Sequence, residues 1–81
     1  MTVTFKNALC CDVDEFEYEK ALYHSVMLYS YDDKLLYRVS IPSDISPDDV
    51  MDFISEPVIC DASMTSFNGK NKFKLLSIQH A

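Results

Sequence analysis

The sequence predicts an α+β domain in which one helix packs on one face of an antiparallel sheet of four to five strands. Three observations support this prediction: apolar and polar residues alternate along most of the chain, two hairpin turns are recognisable, and a single segment begins like a helix. A chain of 81 residues has room for one hydrophobic core, so we expect a single domain over residues 1–81. The predicted order of elements is β-β-β-α-β-β.

The first strand is predicted over residues 2–13, where the odd-numbered positions from Val3 to Val13 carry mainly apolar side chains. Residues 13–23 are ambiguous, because they are rich in helix formers and also alternate. A period of two collects more apolar residues there than a helical period, which favours a strand and leaves a short helix over residues 13–23 as the alternative. Because a strand usually has about 3 to 10 residues, we expect a bulge or break near residues 20–25.

The next two strands form a predicted hairpin over residues 26–31 and 34–41. They flank Asp32 and Asp33, which tolerate the left-handed backbone of a tight turn. Pro42 ends the second strand, because proline has no N–H to donate to a neighbouring strand.

The predicted helix covers residues 47–56. Its start is marked by Ser46 as N-cap, followed by a proline at the first helical position, and its end by the pair Glu56-Pro57. Apolar residues recur between these limits at helical spacing and form a face for the core. A second hairpin follows, with Asn68-Gly69 as its turn. Its strands are predicted over residues 58–66 and 70–79.

The sequence contains no recognisable catalytic or metal-binding motif. Its single glycine excludes a glycine-rich phosphate loop, and there is no Gly-x-Ser-x-Gly motif. Cys10, Cys11 and Cys60 show no zinc-type spacing, and adjacent residues of a strand point to opposite faces. We therefore expect a non-enzymatic protein with no cofactor and no metal, whose reduced cysteines pack as small apolar side chains.

Hydropathy indicates where the protein is located, and net charge indicates which kind of partner it binds. No apolar stretch approaches the ~20 residues needed to cross a bilayer, and residues 1–6 do not resemble an export signal, so we expect a soluble cytoplasmic protein. The formal net charge is -6 and the sequence pI is about 4.5. Such a molecule repels nucleic acids and anionic membranes, so neither is expected as a direct ligand, and a basic protein is the favoured partner.

The acidic residues are unevenly distributed. Residues 1–66 contain all 13 acidic and four basic residues, a net charge of -9, whereas residues 67–81 contain three lysines and no acid, a net charge of +3. Within the acidic part, one group shares a strand face at about 6.6 Å spacing. Another follows an i, i+4 pattern at about 6 Å per step along the predicted helix. These two acidic rows are Glu15, Glu17 and Glu19 in the strand, and Asp48, Asp52 and Glu56 in the helix.

Regularly spaced negative charges imitate a phosphate backbone, although acidic surfaces also serve simply to keep proteins soluble. Like charges at i, i+4 spacing oppose one another by a few tenths of a kcal/mol, so a helix selected only for stability usually mixes signs. Tyrosines near the acids are suitable anchors for a protein interface. The candidate partner-binding residues are therefore Asp14, Glu15, Glu17, Glu19, Asp44, Asp48, Asp49, Asp52, Glu56, Tyr29 and Tyr31.

The segment Asn68-Gly69-Lys70-Asn71-Lys72-Phe73-Lys74-Leu75-Leu76 resembles the final hairpin of the phage uracil-DNA glycosylase inhibitors, small acidic DNA mimics that block the DNA-binding groove of their target. The segment His24-Ser25-Val26-Met27-Leu28 resembles the inserting edge strand of that family, with His24 where the family carries a glutamate. Size, acidity and low glycine content are also similar to acidic anti-CRISPR proteins. These resemblances imply a phage anti-defence protein in the cytoplasm of the host cell.

From the sequence, the leading hypothesis is a non-enzymatic acidic inhibitor, a DNA mimic that binds the basic, nucleic-acid-binding surface of a larger protein. The alternative is a toxin immunity protein or another small interaction module that uses an apolar sheet face. A homodimer formed by pairing of edge strands is compatible with either hypothesis.

Overall fold

The order of strands and helix confirms the predicted β-β-β-α-β-β arrangement. The computed structural model describes all 81 residues, from Met1 to Ala81. Its elements are β1 (Thr2–Tyr18), β2 (Ala21–Ser30), β3 (Leu35–Ile41), α1 (Pro47–Met51), β4 (Pro57–Phe67) and β5 (Lys70–His80).

The five strands close into a barrel in the order β1-β2-β3-β5-β4. All neighbours are antiparallel except β3 and β5, which are parallel and pair through Val39 with Phe73 and Ser40 with Lys74. The prediction of a purely antiparallel sheet is therefore wrong. An odd number of strands cannot alternate in direction around a closed ring, so one parallel pairing is unavoidable. The strand order and the helix between β3 and β4 have the connectivity of the OB-fold, a five-stranded Greek-key barrel.

β1 is a single strand of 17 residues that pairs with two neighbours. Its register shifts between Phe5 and Ala8 on the β4 side and between Cys10 and Asp12 on the β2 side. Such irregularities bend a strand, which allows one strand to serve both sides of a barrel. The alternative of a helix over residues 13–23 is wrong, and the expected break is a tight turn at Glu19-Lys20, where φ is 50° and 65°.

The other two hairpins lie where they were predicted, but in the first of them the turn spans residues 31–34, and neither Asp32 nor Asp33 has the expected left-handed backbone. The turn between β2 and β3 contains Asp32 and Asp33, and its last residue, Lys34, has a φ of 59°. β4 and β5 are joined at Asn68-Gly69, with φ of 52° and 75°. Positive φ at both central residues is the geometry that matches the twist of a two-residue hairpin, and asparagine and glycine adopt it at low cost.

α1 is shorter than predicted. It begins with Pro47 after Ser46, as expected, but it ends at Met51 and not at residue 56. The next N–H groups donate three residues back, from Phe53 to the carbonyl of Val50, from Ile54 to that of Met51 and from Glu56 to that of Phe53. These tighter turns follow a run of like charges and precede Pro57, and both features disfavour a longer helix. No helical segment has the length and apolarity to span a lipid bilayer.

The core lies inside the barrel, and α1 contributes Val50 to it. The prediction that the helix covers one face of an open sheet is therefore wrong. Cys10 and Cys60 are fully buried there as unpaired thiols, and Cys11 is half-buried. Burial raises the pKa of Cys10 to about 11 and that of Cys60 to about 12. The buried apolar residues are Phe5, Ala8, Cys10, Val26, Leu28, Val39, Val50, Val58, Cys60, Ala62 and Leu75.

We predict that the free energy of unfolding falls as the pH rises from about 9 to 11. In this range a thiol of the unfolded chain, with an ordinary pKa of 9.0, loses its proton, whereas Cys60 in the folded protein keeps its proton up to a pKa of about 12. Raising the pH therefore stabilises only the unfolded state.

Urea unfolding at several pH values checks this prediction. Cys60→Ala should lose less stability than the wild type over the same range, and Val58→Ala, which truncates another fully buried side chain but removes no thiol, should keep the pH dependence of the wild type. Equal slopes for Cys60→Ala and the wild type would contradict it.

Candidate partner-binding surface

β1 and β2 continue past the barrel as a two-stranded hairpin, residues 15–23, called here the arm. β1 pairs with β4 only as far as Leu9, and β2 pairs with β3 only from His24 onward, so the strands of the arm pair with each other alone. Glu19 and Lys20 form its turn.

The arm has an aromatic face. Phe16 lies directly opposite Tyr23, and their rings stack with centroids 5.5 Å apart and an interplanar angle of 24°. The two side chains are 49% and 47% exposed, and Tyr18, which follows on the same face, is 61% exposed. Apolar side chains of this size are therefore presented to solvent on a hydrogen-bonded framework rather than on a loop.

The opposite face of the arm is acidic. Glu15 lies opposite His24 and Glu17 opposite Leu22, so the two carboxylates share a face, as the strand pattern predicts. Glu19 lies in the turn and extends the row only as part of an irregular tip. Glu15 Oε2 is 3.4 Å from His24 Nε2, and at the base of the arm Asp14 Oδ2 is 3.3 Å from Arg38 Nη1. Asp14 with Arg38 is the only salt bridge between an acid and a lysine or arginine, and Glu15 is the only other acid with a basic side chain in contact, so the remaining acidic side chains keep their charge uncompensated.

The predicted acidic row of Asp48, Asp52 and Glu56 does not lie along a single helix. Asp48 and Asp49 lie in the first turn of α1, Asp52 is its C-cap, and Glu56 lies just before β4. All four are exposed. Their segment is nevertheless held firmly, because the Ser55 N–H donates to the Cys10 carbonyl at 2.7 Å and the Cys10 N–H donates to the Glu56 carbonyl at 3.0 Å.

A cavity of about 600 Å³ lies between the arm and the segment that joins β3 to α1. Asp44 lies between Ser43 and Ile45, which both line this cavity, and His24, the residue after the arm on β2, also lines it. Neither Glu15 nor Asp44 lines the cavity, but Glu15 contacts the lining residue His24 and Asp44 is adjacent in sequence to two lining residues. The lining residues are Leu22, Tyr23, His24, Ser40, Ile41, Pro42, Ser43, Ile45, Pro47 and Lys74.

The two tyrosines singled out from the sequence lie elsewhere on the barrel. The rings of Tyr29 and Tyr31 meet edge to face at 5.2 Å, and the Tyr31 N–H donates to the Asn7 carbonyl at 2.9 Å. Tyr29 is six residues from Tyr23 along β2, which is about 20 Å in an extended strand. The tyrosine pair and the acidic face of the arm are therefore separate parts of the surface.

The exposed aromatic residues of the arm were not predicted from the sequence to be a candidate site. Their alternation predicted a strand face correctly, but alternation does not show whether another element covers that face. The available signal was length, because alternation from Thr2 to Tyr18 is longer than a small barrel needs to form its wall.

No family model, curated protein or solved structure matches the chain. No group of three or more His, Cys, Asp or Glu side chains is arranged to hold a metal ion.

We predict that Phe16 and Tyr23 stabilise the folded protein cooperatively, because their rings are in contact. A double-mutant cycle with Phe16→Ala and Tyr23→Ala should give a coupling free energy of about 0.5 to 1.5 kcal/mol. The measurement is urea unfolding of the four proteins of the cycle. A second cycle that combines Phe16→Ala with Tyr31→Ala is the control, and it should be additive within about 0.5 kcal/mol. An additive Phe16 and Tyr23 cycle would show that the stack is not formed in solution.

Proposed function

We propose that this protein is a non-enzymatic acidic inhibitor that binds the basic, nucleic-acid-binding surface of a larger protein in the cytoplasm. One observation carries the proposal: of the 13 acidic residues, only Asp14 forms a salt bridge with an arginine or lysine, and only Glu15 contacts a histidine. Uncompensated carboxylates attract a cationic surface and accelerate encounter with it.

The acidic groups are also held on ordered backbone. The arm carries Glu15 and Glu17 on a paired strand, and the α1 segment is fastened to β1 through Cys10. Because these backbone positions are already fixed, binding would order little more than the side chains, and less entropy would be lost. This preorganisation supports binding through a stiff acidic surface, on which Glu15 and Glu17 keep the regular spacing of a strand.

The connectivity of the barrel is informative together with its charge. Barrels with this connectivity often bind oligonucleotides on the face formed by β2 and β3. In this protein the cation of that face, Arg38, is paired with Asp14, and the molecule as a whole is acidic. A phosphate backbone would be repelled, so we infer that the barrel binds proteins that bind nucleic acid and not the nucleic acid itself.

A second candidate function is a toxin immunity protein or a related interaction module. It is favoured by the exposed aromatic side chains that share one face of the arm, Phe16, Tyr18 and Tyr23. Exposed apolar clusters on soluble proteins often mark protein-binding sites. In this case affinity would come mainly from apolar burial and would change little with salt.

The proposed function predicts that the protein and DNA compete for the same partners. The immobilised protein is incubated with a lysate fraction enriched on heparin, and bound proteins are eluted with a single-stranded DNA oligonucleotide or with sodium chloride of equal ionic strength. We expect the oligonucleotide to release partners that the matched salt leaves bound. The protein alone should not bind the same oligonucleotide in fluorescence anisotropy at about 0.15 M salt.

Two triple variants with the same change in charge locate the contact. One neutralises the arm and the other the α1 segment, and loss of a contacted row should lower capture by about tenfold or more. An equal, small loss from both variants would indicate an effect of net charge alone. Partners that are released neither by DNA nor by salt would support the immunity-protein alternative instead. The triple variants are Glu15→Gln, Glu17→Gln, Glu19→Gln and Asp48→Asn, Asp49→Asn, Asp52→Asn.

A further inference from the structure

One edge of the arm has no partner strand. Beyond Cys10, β1 leaves β4, and the residues from Asp12 to Tyr18 pair with β2 alone. In an antiparallel pair, alternate residues direct both the N–H and the C=O away from the partner strand. The arm therefore has a row of backbone donors and acceptors along its open edge, which is the feature that lets a sheet accept an additional strand.

The hydrogen bonds identify which residues face this edge. The Val13 N–H donates at 2.8 Å to the Asp12 carboxylate, so it is not engaged with β2. Because backbone direction alternates along a strand, Glu15 and Glu17 present their N–H and C=O groups to the same open side as Val13. These two residues also carry the acidic face of the arm.

Charge around the edge restricts what can pair with it. Acidic side chains lie along this part of β1, and the one base within the arm, Lys20, is in the turn. A second copy of the same edge would place like charges opposite each other, which is destabilising. An extended segment with Lys or Arg at every second position would place cations beside Glu15 and Glu17 at a matching spacing of about 6.6 Å.

We propose that the open edge of the arm accepts an extended, Lys- or Arg-bearing segment of a partner protein as an additional strand. Glu15 and Glu17 pair with its cations, and Phe16 and Tyr18 pack against side chains on its other face. The added strand must therefore place its cations on the acidic face of the arm and its other side chains on the aromatic face, which fixes its orientation and register. This inference rests on the proposed function for the cationic character of the partner, and it adds the mode of contact.

The test uses a synthetic probe, the amidated octapeptide Thr-Lys-Val-Lys-Val-Lys-Val-Thr, titrated into the ¹⁵N-labelled full chain. We expect chemical-shift changes along the arm and slower amide hydrogen exchange at Glu15 and Glu17 when the peptide is bound. The control peptide has the same sequence and charge but carries N-methyl groups on alternate backbone amides. Because it cannot donate the strand hydrogen bonds, it should bind at least about tenfold more weakly.

Matched variants separate strand pairing from general attraction. Glu15→Gln with Glu17→Gln should weaken binding of the octapeptide, whereas Asp32→Asn with Asp33→Asn removes the same charge in the turn between β2 and β3, outside the arm, and should leave affinity unchanged. Equal binding of the N-methylated peptide, or equal loss from both double variants, would overturn the inference. Protection of Glu15 and Glu17 without peptide, together with a doubled mass in light scattering, would also overturn it, because a second copy would then occupy the edge.

The outcome is independent of the DNA competition. If the octapeptide fails to protect the arm while DNA still releases captured partners, the mimic remains and strand addition is wrong. If the octapeptide binds as expected while DNA releases nothing, the arm binds cationic segments of proteins other than those that handle nucleic acid, and the proposed function is wrong.

Discussion

The architecture depends on β1 pairing with two different strands in succession. Its first half pairs with β4 and closes the barrel, and its second half pairs with β2 and continues into the arm. Cys10 stands at the changeover, where its N–H and C=O bond to Glu56 and Ser55. The same few residues therefore end the β4 pairing, fasten the segment after α1 and open the free edge, so the barrel, the acidic segment and the arm are structurally linked.

Local chemistry was sufficient to predict the turns and the start of the helix. Asn68-Gly69 adopts positive φ because those residue types do so at low cost, and Pro47 begins α1 because its fixed φ suits the first helical position. Ser46 is the N-cap residue as predicted, but its side chain makes no capping hydrogen bond. Long-range features were not predictable in this way. The parallel pairing of β3 with β5 follows from closure of five strands, and the early end of α1 accompanies hydrogen bonds to Cys10, which is distant in sequence.

The candidate surface was predictable to a similar degree. Spacing alone identified Glu15 and Glu17 as neighbours on one face, because a strand repeats every two residues. The i, i+4 spacing of Asp48, Asp52 and Glu56 did not predict their arrangement correctly, because these residues share a face only on a helix longer than α1. The alternation itself could not predict the exposure of Phe16 and Tyr23, since the pattern is the same whether its apolar face meets a core or solvent, and only the length of the alternating stretch indicated it.

Aromatic exposure and acidity on one arm are connected physically. An open strand edge beside apolar side chains is a template for aggregation, and charged residues on the edge strand are a common protection against it. In the arm, Glu15 and Glu17 would face the same residues of any second copy that paired with β1 in register, so the repulsion falls where pairing would occur. The repulsion that keeps copies apart becomes attraction for a segment of opposite charge. Selectivity would then arise as much from the strands that the edge excludes as from the one it accepts.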